Sequence, residues 1–248
     1  MERPIGIMGA FKEEVAGIRQ AMKVEAQSTF SDIEFTRGFY GGKEVVLTLS
    51  GIGEEKASRA AQALLDNFPL KTLICIGIAG ALHPTLEIGD IVIGKRVFSQ
   101  TSAQRFLTSD EKLVEAAVRS CDHLRYRFFL GDILTVSRII DSSTEKREIY
   151  QDTQALAVEM ETVAVAHWAM QKEIPFLALR SISDGADYIF KVDIPRVTDD
   201  EGELNPRKVL CYLLRHPTAL IGLWQMKQNI TKATEHLEKV IHSLIAEI

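Results

Sequence analysis

The sequence predicts an α/β protein with a mixed, largely parallel central sheet flanked by helices. Two patterns carry this expectation. Short apolar runs of strand length alternate with stretches whose apolar residues recur at helical spacing, and a glycine pair between two β-rich runs marks a hairpin. At 248 residues the chain can bury one large core. It reads as a single domain over residues 1–248, with a helical C-terminal extension at about 199–248.

The run Ile5 to Ala10 is strand-like and ends in Gly9, before a segment in which Phe11, Val15, Ile18 and Met22 share one helical stripe. IEFTRGFYGGKEVVLTLS gives two strands about Gly41-Gly42, and a glycine-bounded corner follows from Ser50 to Gly53. Ala57, Ala60, Ala61, Leu64, Leu65 and Phe68 then form an amphipathic stripe. TLICIGIAGAL is apolar throughout and too short for a helix before its glycines, which suits a strand covered on both faces. GDIVIGKRVF is strand again, and Thr108 with Glu111 has the spacing of a capping box before KLVEAAVRSC. FFLGDILTVSRII predicts a further strand, Thr144 to Gln151 a polar helix, LAVEMETVAVAHWA a strand entering a helix, and IPFLALRSISDGAD a last strand. Beyond Asp187 the chain reads as irregular and acidic through VTDDEGELNP, then as a long helical tail divided at Pro217.

Composition narrows the partners. A formal charge of -5 leaves no basic face, so nucleic acid and anionic membranes are poor partners. No run of about 18 apolar residues is present to span a membrane, and the N-terminus lacks the apolar core of a signal peptide. Cys75, Cys121 and Cys211 lie far apart in no metal or redox spacing, which suggests reduced thiols and a cytoplasmic setting. No motif supports a metal, and no cofactor is expected.

Ligands of open α/β sheets bind beyond the carboxyl ends of the strands. Four apolar runs end there in GIMGAFKEE, CIGIAGAL, AVEME and LALRSISDGAD. Together they offer Glu13, Glu14, Glu159, Glu161, Arg180, Ser183 and Asp184, with backbone amides near Gly77 to Gly80: a carboxylate-rich pocket with one guanidinium. Each element also fits a plainer role. Glu13 and Glu14 lie in a first helical turn, where acids gain about 0.3–1 kcal/mol from the dipole. Glu159 and Glu161 could be helix-start acids in the same way, Ser-Asp-Gly is turn chemistry, and the two glycines could serve close packing.

The conjunction is more specific than its members. IGIMGAFKEEV, SGIGEEKASRAA, GIAGALHPTLEIGDIVI, VEMETVAVAHWA and IPFLALRSISDGAD stand in the order seen in 5′-methylthioadenosine/S-adenosylhomocysteine nucleosidases. The chain resembles that family, within the nucleoside phosphorylase superfamily, over most of residues 4 to 187. The resemblance implies a nucleoside phosphorylase-like fold, a small-molecule purine nucleoside as partner, and a homo-oligomer with a dimer favoured. It also implies hydrolysis of the N-ribosidic bond of a 5′-substituted adenine nucleoside, with release of adenine. By resemblance Asp184, held by Ser183, protonates purine N7. Glu161 binds ribose hydroxyls and Met160 packs on the sugar, while Glu14 orients or deprotonates the attacking water with Arg180 nearby. Phe11 and Ile52 fall by the sugar and its apolar 5′ group. Ile78 stands where the family usually has serine, and Ile139, with Ile140 beside it, where an aromatic usually stacks on adenine.

Related phosphorylases hold phosphate with arginines at places that here read Lys12-Glu13-Glu14 and Cys75-Ile76, so water is the expected nucleophile. Two alternatives stay open. One is a phosphorylase for a nucleoside with a large apolar 5′ group, of the hopanoid-associated type that the tail faintly resembles; the other is a non-catalytic nucleoside-binding protein. The tail itself suits the 5′ end of the pocket, a dimer face, a membrane surface or packing on its own core.

Overall fold

The computed structural model describes residues 3–99, 106–188, 196, 208, 212 and 219–248. Cys211, Pro217 and the VTDDEGELNP stretch lie outside the described residues. The elements run β1 (Ile5–Gly9), α1 (Lys12–Ala21), β2 (Lys23–Phe30), β3 (Ile33–Tyr40), β4 (Lys43–Leu49), α2 (Glu54–Asn67), β5 (Thr72–Ala81), β6 (Ile91–Ser99), β7 (Leu107–Thr108), α3 (Glu111–Leu124), β8 (Phe128–Thr135), α4 (Ser143–Thr153), β9 (Ala157–Glu159), α5 (Thr162–Gln171), β10 (Phe176–Asp184) and α6 (Ala219–Glu247).

All the described strands join one mixed sheet whose centre, β4-β1-β5-β10, is parallel. The antiparallel pairings lie in the β2-β3-β4 meander and where the sheet bends back on itself. β5 bonds β1 through Thr72 to Cys75, then β9 through Gly80 and Ala81, while β10 runs along it from Leu73 to Gly80. From β10 the ladder continues through β6, β8 and β9 and returns to β5, so five strands close into a ring. β5 is buried along nearly its whole length, which is why its sequence is apolar without alternation.

Helices cover both faces. Ala57, Ala60, Ala61 and Leu64 of α2 pack with Val165, Ala166 and Ala169 of α5 in one core cluster. The small residues let the two helices approach closely, and Trp168 Nε1 donates to Ser58 Oγ (2.8 Å) across them. A second cluster joins Val15 and Ile18 of α1, Leu113, Ala117 and Cys121 of α3, and Leu237, Val240, Ile241, Leu244 and Ile245 of α6. No described helix is long and apolar enough to cross a membrane.

Four local expectations are corrected. Phe11 stands at the N-cap of α1 in extended conformation (φ -140°), outside the helical stripe, because Glu14 reaches back to the amides before the helix. The cap of α3 is Asp110, whose side chain accepts from Leu113 N (3.1 Å); Thr108 is instead held in β7 opposite Arg96. β2 was not expected, since Lys23–Phe30 is almost wholly exposed and has no buried face to impose alternation. The strand from Phe128 stops at Thr135, so Val136 to Ile140 form a connection rather than strand.

The reassigned cap gives a direct test. Asp110→Ala should cost about 0.5–2 kcal/mol of stability, read from urea midpoints, and Thr108→Ala clearly less; the reverse order would restore Thr108 as the cap.

Candidate active site

The site grows from the end of β1. Gly51 N donates to Ala10 O (3.0 Å), pinning the corner after β4 beside the start of α1. Glu14, in the first turn of α1, turns inward and is 4% exposed. Its Oε2 accepts from Ala10 N (2.6 Å) and its Oε1 from Ile78 N (2.7 Å) on β5. Burial lifts its pKa to about 7, outweighing the Arg180 guanidinium and the three backbone amides that favour the carboxylate.

Arg180, on β10, is fully enclosed. Its Nη2 donates to Glu159 Oε2 (2.9 Å), Thr162 Oγ1 (2.5 Å) and Cys75 Sγ (3.3 Å), and its Nη1 to Cys75 O and Leu179 O (both 3.2 Å). Burial opposes its charge, but Cys75, Glu159 and Glu14 outweigh burial and hold the guanidinium protonated. Glu159 accepts in addition from Thr135 Oγ1, Glu161 N (3.0 Å) and Thr162 N (2.8 Å). Burial alone would raise its pKa; Arg180 and the hydrogen bonds win and hold it below the ordinary value. Glu161, two residues on, goes the other way. Its Oε1 accepts from Gly53 N (2.8 Å), but burial and the charges of Glu159 and Glu14 push its pKa up.

Asp184 ends β10. Ser183 Oγ donates to its Oδ1 (2.8 Å), and Lys146 Nζ donates to its Oδ2 and to Gly185 O (3.0 Å). The two glycines of β5 make room for these acids. A Cβ on Gly77 would lie 2.6 Å from Glu14 Oε1 and 3.3 Å from Arg180 Cζ, and one on Gly80 would lie 2.9 Å from Asp184 Oδ2. Glu14 and Asp184 thus pack against one strand three residues apart, or about 10 Å along it.

These groups open on a cavity of about 490 Å³, within the usual range for a small-molecule site. Its wall includes Phe11, Glu14, Ile52, Ile78, Ile139, Ile140, Met160, Glu161, Ser183 and Asp184, which the sequence had singled out. Arg180, expected in the pocket near the attacking water, is not a wall residue: its guanidinium is used behind the wall, on Glu159 and β5. Sequence reasoning missed Tyr188, and Met226, Asn229, Ile230 and Thr231 of α6. It also missed Lys146, which is 0% exposed behind Asp184. The only sequence hint for Lys146 is its spacing from Ile149, the other buried residue of α4. Of the roles open to the tail, the first half of α6 lines the cavity and the second half packs on the core.

Fold and site together define an α/β protein whose central sheet carries a small-molecule cavity walled by carboxylates at its strand ends. The chain belongs to the phosphorylase superfamily, whose family model matches residues 4–215. It is 32% identical over 198 residues to the 5′-methylthioadenosine/S-adenosylhomocysteine nucleosidase of Staphylococcus epidermidis, covering 74% of this chain and 87% of the relative. The same figures hold for the enzyme of that description from Staphylococcus haemolyticus. Among solved structures, the Neisseria meningitidis 5′-methylthioadenosine/S-adenosylhomocysteine nucleosidase in complex with methylthio-immucillin-A superposes with a TM-score of 0.79 at 24% identity, over 99% of this chain and 100% of that one. Futalosine hydrolase of Helicobacter pylori does so at 0.80 and 21% identity, over 99% and 98%. The two structures share the fold.

The raised pKa of Glu14 has a consequence for stability. Its value is 4.5 for an ordinary carboxyl and about 7 when folded, so the folded protein holds this proton more tightly than the unfolded chain. The resulting stability is fully present below about 4.5 and is lost as pH rises to about 7. Glu14→Gln removes the effect, so the variant should gain about 3 kcal/mol on the parent protein between pH 4.5 and pH 8. Urea titrations at the two pH values check this, and parallel changes in both proteins would place the buried charge elsewhere.

Proposed function

We propose that the protein hydrolyses the N-ribosidic bond of a 5′-substituted adenine nucleoside, of the methylthioadenosine or S-adenosylhomocysteine type, and releases adenine. One observation carries the reading: Glu14 and Asp184 are set against Gly77 and Gly80 of the same strand, and both face one cavity whose wall also holds Glu161 and Met160. Breaking a ribose–purine bond passes through an oxocarbenium-like sugar. It needs a proton at the leaving base, a base for the attacking water, and a hold on the ribose between them. Asp184 supplies the first and Glu14 the second, its pKa of about 7 placing a general base near neutral pH. Glu161 meets ribose hydroxyls, and Met160 gives the sugar an apolar surface. Phe11, Ile52, Met226 and Ile230 leave the 5′ end apolar. The identity to the two staphylococcal nucleosidases supports the same chemistry.

Water suits the site better than phosphate. The described wall carries Glu13, Glu14, Glu159, Glu161 and Asp184, against Arg138 and Lys227 as its cations, and Arg138 is paired with Glu145. Whether neutral or ionised, these acids offer a phosphate dianion little support, and the ionised ones repel it. Isoleucine at position 78 does not remove the support of the base, because what Glu14 takes from Ile78 is its backbone N–H, beside that of Ala10. A cytoplasmic, dimeric enzyme belongs to the same proposal; the exposed Phe106, Leu130 and Ile139 support a partner protomer.

The test is a panel of methylthioadenosine, adenosylhomocysteine and adenosine, with and without phosphate, the sugar product being identified by mass. Adenine and free 5-substituted ribose should form independently of phosphate, and methylthioadenosine should exceed adenosine in kcat/KM. Glu14→Gln and Asp184→Asn should stay folded and lose about 10²–10⁴-fold in rate. Ribose 1-phosphate formed in proportion to phosphate would make the protein a phosphorylase, and binding without adenine release would make it a binding protein.

A further inference from the structure

The leaving-group side of the cavity is backed by a charge that no ligand can touch. Lys146 is 0% exposed and is absent from the cavity wall. α4 is otherwise a surface helix, with Lys146 and Ile149 as its buried residues. A buried ammonium is tolerated only when paired and hydrogen-bonded, and Nζ here donates to Asp184 Oδ2 and Gly185 O. Ser183 Oγ donates to Oδ1. Both oxygens of Asp184 therefore accept from protein donors, the pattern of an ionised carboxylate. Purine N7 is itself an acceptor, so such a carboxylate has nothing to give it until a proton arrives. The proton in direct contact with that carboxylate on its buried side is on Lys146.

We propose that Lys146 is a positioning residue that supplies the proton Asp184 delivers to the leaving base. The proton passes from the Lys146 ammonium to the Asp184 carboxylate. It moves on to N7 as the C1′–N9 bond breaks and the electron pair of that bond goes to the purine. Lys146 is left as the neutral amine, Asp184 as the carboxylate and the base as neutral adenine. The positive charge rests on the sugar until water adds and gives its proton to Glu14. The inference rests on the nucleosidase reading of the cavity and goes beyond it by naming the source of the proton.

The experiment compares two leaving groups, adenine in methylthioadenosine and p-nitrophenolate in the matching 5-methylthio nitrophenyl riboside, which departs without protonation. Lys146→Met should lose about 10²-fold or more in kcat on methylthioadenosine, the loss expected for a general-acid function, but only a few-fold on the nitrophenyl riboside. In an Asp184→Asn background the same change should cost nothing further on methylthioadenosine, since Lys146 acts only through Asp184. Equal losses on both substrates, or additive losses in the double variant, overturn the proposal and leave a structural ion pair. Should Lys146→Met fail to fold, Lys146→Arg replaces it, since it keeps the charge but binds its protons too tightly to pass them on. Loss on methylthioadenosine alone supports the relay, and full activity on both substrates overturns it. An unaltered protein that releases no adenine from any nucleoside overturns the nucleosidase reading and this inference together. An active one matched by Lys146→Met overturns the inference alone.

Discussion

The buried pair of Arg180 and Glu159 is the contact on which the site depends. Arg180 comes from β10 and reaches β5 through Cys75 O, while Glu159 ends β9, takes the Thr135 hydroxyl from β8 and receives the first amides of α5. Four strands and a helix thus meet at one pair of charges. Such a pair adds little over a well-packed apolar substitute, but breaking it by removing one partner typically costs about 3–5 kcal/mol because the other is left charged and dry. Its direction matters more than its energy. By fixing the backbone at Glu159 it fixes where Met160 and Glu161 point, and by placing a guanidinium near Glu14 it limits how far burial can raise that acid.

Four carboxylates in one small region can do different work because their surroundings differ. Glu159 has a guanidinium and is held ionised; Glu161 has one backbone amide as its strongest support and two acids near it, and is pushed toward the neutral form. Glu14 lies between these cases, and Asp184 is held by a hydroxyl and an ammonium. Separating like groups by environment is how one pocket assembles an acid and a base. Glycine is required at positions 77 and 80 for a geometric reason, since a methyl group at either would occupy the space of a carboxylate oxygen.

This logic also marks what the sequence could show. The central strands, both α-helical faces and the carboxylate-rich strand ends were legible, because burial writes continuous apolar runs and helical stripes directly into the chain. By pattern alone Glu159 and Glu161 could not be told apart, and the family resemblance was needed to give Glu161 the ribose, since their difference comes from Arg180, Thr135 and Gly53, distant in sequence. β2 was hidden because an exposed edge strand needs no apolar face. Lys146 was hidden for the opposite reason: a single inward-facing polar residue on a polar helix does not change its periodicity. The position of Arg180 behind the wall was hidden too, because a guanidinium beside strand-end acids reads the same whether it faces the cavity or backs its wall.

The C-terminal helix shows how one element serves stability and the cavity at once. From Leu237 to Ile245 it is a core helix, with Glu238 packed so closely on α1 that a Cβ on Gly17 would overlap its carboxylate. One residue earlier His236 stacks on Tyr126 at 4.3 Å and bonds Gly89 O (2.8 Å). Those contacts fix the axis of α6, and a continuous helix carries that axis forward to Met226, Asn229, Ile230 and Thr231 at the cavity. Because the helix is stiff and its far half is locked into the core, the wall it forms cannot swing away independently. Its contribution to ligand choice must therefore come from the size and polarity of the side chains it presents, which makes the first half of α6 the part of the fold where selectivity can change without disturbing Glu14, Glu161 or Asp184.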